Sequence, residues 1–133
     1  MVALLAIAGC GGGGGMSASQ IQTAQVLFDE ALVCDKAGSA TEAFTKVDAA
    51  IVQGGLNPDQ LCEAYLLRSR CHSASGKLEE ALADIEFAEQ GSPNPSVWHF
   101  SRSVYFAAKG DAAKSKSEFA IARRLNPSLK SLK

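Results

Sequence analysis

One stretch of the chain recurs. "GKLEEALADIEFAEQGSPN", from Gly76, aligns with "GDAAKSKSEFAIARRLNPS", from Gly110, at an offset of 34 residues. A third copy, "GSATEAFTKVDAAIVQGG", begins at Gly38, 38 residues ahead of Gly76. Each copy follows a stretch of about 14 residues with helical periodicity. A period of about 20–50 residues marks units that cannot bury their apolar faces alone and must stack on one another. With 133 residues, the chain has room for three such units and one modest core. Alanine is abundant, only 7% of residues are aromatic, and the prolines fall at segment edges, which favours packed helices over sheets.

Local signals divide each copy into two helices. Small residues recur where helices must approach closely: Ala31, Ser69 and Ser103 on the first helix, Ala43, Ala81 and Ser115 on the second, with a further set at Ala50, Ala88 and Ala122. Gly38, Gly76 and Gly110 can end the first helices in the left-handed conformation. Asn57-Pro58, Asn94-Pro95 and Asn126-Pro127 each place Asn at an N-cap and Pro in the first turn. Ser17-x-x-Gln20 and Ser39-x-x-Glu42 have the spacing of capping boxes. These signals predict an all-α fold of six helices, at 18–37, 40–53, 58–75, 77–90, 95–109 and 112–125. A seventh is expected to start at Asn126-Pro127, with only the stub "SLKSLK" remaining.

The pattern resembles the tetratricopeptide repeat (TPR), a 34-residue helix–turn–helix unit written W-x2-L-G-x2-Y, A-x3-F, then P. The middle copy reads Tyr65-x2-Arg68-Ser69-x2-His72, Ala81-x3-Ile85, Pro93. The last reads His99-x2-Arg102-Ser103-x2-Phe106, Ser115-x3-Phe119, Pro127, and the first Leu27-x2-Glu30-Ala31-x2-Cys34, Ala43-x3-Val47. The extra residues of the first unit, around Gly55 to Pro58, fall in its exit loop, where an insertion costs little. The resemblance implies an α-solenoid of three repeats, about 24–57, 62–95 and 96–129, within a repeat domain of residues 17–133.

A second resemblance lies at the start. Residues 1–9, "MVALLAIAG", are apolar, too few to cross a bilayer but of the length of a signal-peptide apolar region. Ile7-Ala8-Gly9-Cys10 resembles the lipobox of bacterial lipoproteins. That likeness implies cleavage before Cys10, acylation of its sulfur, and a glycine-rich tether over residues 10–16. The segment departs from the pattern in lacking Lys or Arg ahead of the apolar run, as a start truncated on its upstream side would. The expected location is the bacterial cell envelope, lipid-anchored and facing the periplasm or the exterior.

No residue pattern suggests catalysis, a metal or a cofactor, and the chain is expected not to be an enzyme. His72 and His99 both occupy packing positions of the repeat. Cys71 and His72 are helix neighbours that diverge by about 100°, so they do not form a nucleophile–base pair. No spacing suits zinc, and the glycine run lacks the Gly-Lys-Ser/Thr of a phosphate loop. Cys62 and Cys71 lie about 13 Å apart along one helix, too far for a disulfide. Cys34 and Cys71 occupy neighbouring positions of adjacent helices, and all three cysteines read best as small apolar residues. A net charge of −1 gives no indication of nucleic acid.

What remains is surface. In the repeat family the first helices line a concave groove, and the resemblance maps it here to Phe28, Leu32, Leu66, Arg70, Phe100 and Val104. Members that bind chaperones hold a C-terminal carboxylate there with Lys and Asn. These positions are mostly apolar instead, so the expected ligand is an apolar or amphipathic segment of another envelope protein. Glu30 and Arg68 share one repeat position and are expected to pair. Charge is uneven: the first repeat carries about −3 and the last, with its tail, about +6. The competing expectation is a structural protein that self-associates, a homo-oligomer without a separate ligand.

Overall fold

The computed structural model describes residues 15–130, and the expected signal segment with Cys10 lies outside them. Six helices follow in order: α1 (Ala18–Lys36), α2 (Ala40–Gln53), α3 (Pro58–Ala74), α4 (Leu78–Gln90), α5 (Pro95–Lys109) and α6 (Ala112–Leu125). No strand occurs among the described residues. Their bounds follow the caps. Ser17 and Asn57 each accept from a backbone N–H three residues on while a glutamine side chain reaches back, completing two capping boxes. Gly38, Gly76 and Gly110 adopt φ of 81°, 73° and 89°, the left-handed turn that lets the second helix fold straight back.

Two local expectations are corrected. Ser39 makes no side-chain cap bond. The tight turn sets nearly the same backbone at Ser39, Lys77 and Asp111, with φ near −90° and ψ of 73° to 81°. From there the longer Asp111 side chain reaches the Lys114 N–H at 3.1 Å, and the serine hydroxyl does not. At Asn126-Pro127 the described residues form a turn instead of a seventh helix. The Asn126 side-chain oxygen accepts from the Ser128 N–H and hydroxyl, closing the chain on itself.

The helices pair as antiparallel hairpins, α1/α2, α3/α4 and α5/α6, giving three TPR-like units. α3 packs mainly on α2 and only grazes α1, while α5 packs on both α3 and α4. All nine small residues at the predicted close approaches are buried. The first junction encloses Phe28, Val47, Ala64 and Leu67, and the second Leu66, Ile85 and Tyr105.

An ion network crosses the first junction. Arg68 donates to both carboxylate oxygens of Asp84, at 2.8 and 2.7 Å, and to Asp48 at 3.0 Å. It thereby joins α2, α3 and α4, and these bonds hold its pKa above the usual range. Glu30 is not its partner, contrary to the sequence expectation. Because α3 leans on α2 and not on α1, Glu30 pairs within its own hairpin with Lys46, at 2.7 Å.

Candidate functional site

The three units curve around a groove of about 830 Å³. Leu32, Asp35 and Lys36 of α1 form one wall, Arg70 and Ala74 of α3 the floor, and Val97, Phe100 and Val104 of α5 the other wall. Ser128, Leu129 and Lys130, beyond α6, close one side. Four of the six predicted groove residues thus meet there: Leu32, Arg70, Phe100 and Val104.

Phe28 and Leu66 do not. They are 3% and 0% exposed and belong to the two junction cores. Phe28, Leu66 and Phe100 share one repeat position, and the following unit stacks on the first two. The position is therefore a junction position, and Phe100 lines the groove because no described helix covers it. The groove position proper is that of Leu32, Arg70 and Val104.

Arg70 organises the floor. Its Nη2 donates to Asp35 of α1 at 3.1 Å and its Nη1 to the Ser101 hydroxyl of α5 at 2.9 Å, so one side chain ties all three first helices together. The guanidinium stacks over the Phe100 ring, 5.2 Å from its centroid. Its Nε is buried and lacks an acceptor. Ser101 was not legible as a groove residue. Its hydroxyl also faces the Leu66 carbonyl at 3.4 Å, a bond set by tertiary packing.

The histidines serve packing. His72 meets the Phe44 ring edge-on at 5.2 Å, and His99 Nδ1 lies 2.6 Å from Glu118, which also pairs with Arg102. Cys34, Cys62 and Cys71 are free thiols. Burial pushes the Cys71 pKa up to about 11, so it is protonated and unreactive near neutrality. Among the described residues, no group of three or more His, Cys, Asp or Glu could hold a metal ion, and no helix is long and apolar enough to cross a membrane.

Part of the chain is similar to the tetratricopeptide repeat and J domain-containing co-chaperone DNJ1 of Mycosarcoma maydis. The two are 38% identical over an alignment of 73 residues that covers 51% of this chain and 12% of that protein. The chain therefore spans only a small part of that relative's length. No family model and no solved structure matches it. The likeness and the hairpin geometry agree on a TPR-like repeat protein.

Proposed function

We propose that this chain is a non-catalytic scaffold that holds an apolar or amphipathic segment of a partner protein in its concave groove. The observation that carries this reading is the groove itself, walled by Leu32, Val97, Phe100 and Val104 over a floor that includes Arg70 and Ala74. An apolar wall of this kind buries a partner's apolar side chains. The TPR-like architecture supports the same reading, since such repeats present extended concave surfaces for protein contacts.

We further propose that the scaffold is held in the bacterial cell envelope by acyl chains on Cys10, and that its partner is another envelope protein. Ile7-Ala8-Gly9-Cys10 and the glycine run support this. Two acyl chains are enough for stable anchoring, whereas one is marginal.

Affinity purification from detergent-solubilised membranes tests both parts. The full chain should retain a stoichiometric second protein, and Ala74→Asp or Val104→Asp should lose it while melting as the parent does. Retention by both variants would exclude the groove. Separately, Cys10→Ser should move the protein from the detergent phase to the aqueous phase. An unmodified Cys10 in the mature protein would exclude the anchor.

A further inference from the structure

At both junctions one set of positions is turned toward the preceding unit. In α3 it includes Ala64, Leu67 and Cys71, all buried in the first junction core. In α5 the same positions are Trp98, Ser101 and Tyr105, with Ser101 and Tyr105 buried and Trp98 packed against the second core. In α1 they are Val26, Asp29 and Val33. Val26 is 47% exposed and Val33 67%, and with Glu30, Cys34 and Lys46 they border a shallow open depression.

The far end shows the opposite half. Phe28 and Val47 receive α3, and Leu66 and Ile85 receive α5, all four buried. Their counterparts in the third unit are Phe100 and Phe119, with ring centroids 6.3 Å apart and both only partly buried. Among the described residues, the first unit thus displays the incoming half of a junction and the third unit the receiving half. Their charges are opposite. The incoming face bears Asp29 and Glu30, the latter held by Lys46 at 2.7 Å. The receiving face is rimmed by exposed Lys116, Arg123 and Lys130.

We propose that these two faces bind each other between copies of this chain, so that the third unit of one copy receives the first unit of the next. A two-fold dimer through either face would set like charges together, so the charges favour head-to-tail stacking, which does not close on itself. The internal junctions give the register. Where Asp48 takes Arg68 at the first junction, the stacked copies bring Ala120 opposite Glu30, and Lys116 and Arg123 lie one turn to either side of Ala120. Asp29 would fill the place of Leu67, beside Phe100 and Val104, where Lys130 supplies the cation that an enclosed carboxylate requires. Where Phe44 meets His72, Lys116 of one copy would meet Cys34 of the next.

That last neighbour relation gives the test. The full chain carries Lys116→Cys, with Cys10→Ser to keep the N-terminal thiol out of the readout, and is exposed to a mild oxidant. Head-to-tail stacking predicts a ladder of covalent dimers, trimers and longer species that vanishes when Cys34→Ser is added. Asp29→Lys should abolish the ladder, and Ala74→Asp, exposed on the groove floor of the middle unit, should leave it intact, which separates this proposal from the groove reading. Failure of the folded Lys116→Cys chain to cross-link would overturn the register. Sedimentation of the unsubstituted chain gives an independent answer. A mass that rises with concentration and falls with added salt supports open stacking. A monomer at every concentration, or a mass that stops at the dimer, contradicts it.

Discussion

Leu66 and Phe100 occupy the same position of consecutive repeats, yet one is sealed and the other is open. Leu66 disappears beneath Tyr105 and Ile85. Phe100 keeps one side for Arg70 and Phe119 and leaves the other to the groove. The residue type does not decide this, since both are large and apolar. What decides it is whether another helix arrives on top. In a stacked-repeat protein a side chain's role depends on its place along the stack as much as on its place in the repeat.

The ion pairs show a second contrast, between an enclosed pair and a more exposed one. The Asp84 side chain is 7% exposed and bound by both arms of Arg68. Arg68→Ala would leave that carboxylate buried and largely uncompensated, a loss of about 3–5 kcal/mol. Arg102 occupies the same position one repeat later but is more exposed, and Glu118 keeps His99. Arg102→Ala should therefore lose less, about 1–2 kcal/mol including its stacking over Trp98 at 4.4 Å. Urea melts of the two variants check this, and equal losses would erase the distinction between the enclosed bidentate pair and the more exposed one.

The shared position itself comes next. Leu66→Ala should lose about 2–5 kcal/mol through transfer and cavity terms. Phe100→Ala removes a larger side chain but should lose only about 1–2 kcal/mol, because part of the ring is already in water. A larger loss from Phe100→Ala would make it a core residue.

Two smaller effects sharpen the picture. Ala88→Leu, at a buried close approach, should overpack the site by about 1–3 kcal/mol. Ala83→Leu, on the exposed side of the same helix, should stay within about 0.5 kcal/mol. Thiol labelling gives the finest contrast. Cys34 is only partly buried and should react with a maleimide in the folded protein, whereas Cys71 should react only on unfolding.

Most of the fold was legible because its signals are local. Asn57-Pro58, Asn94-Pro95 and the three turn glycines fix helix ends through groups within a few residues of each other. The small residues mark contacts whose spacing the repeat itself supplies. The misread features depend on how one helix leans on another. Glu30 and Arg68 share a repeat position, but α3 rests on α2, so Arg68 reaches Asp48 and Asp84 instead. Phe28 and Leu66 read as groove residues because repeat position alone does not say which face the next unit covers. Arg70 was visible as an interruption of an apolar stripe, but its tie to both Asp35 and Ser101 needed the three first helices placed side by side.

The direct test of the groove is hydrogen exchange of the full chain, alone and with a partner protein captured by affinity purification. Binding in the groove predicts slowed exchange at residues 32–36, 70–74 and 97–104 together, and little change along the outer helix α4. Protection confined to α4, or to one unit only, would contradict the account.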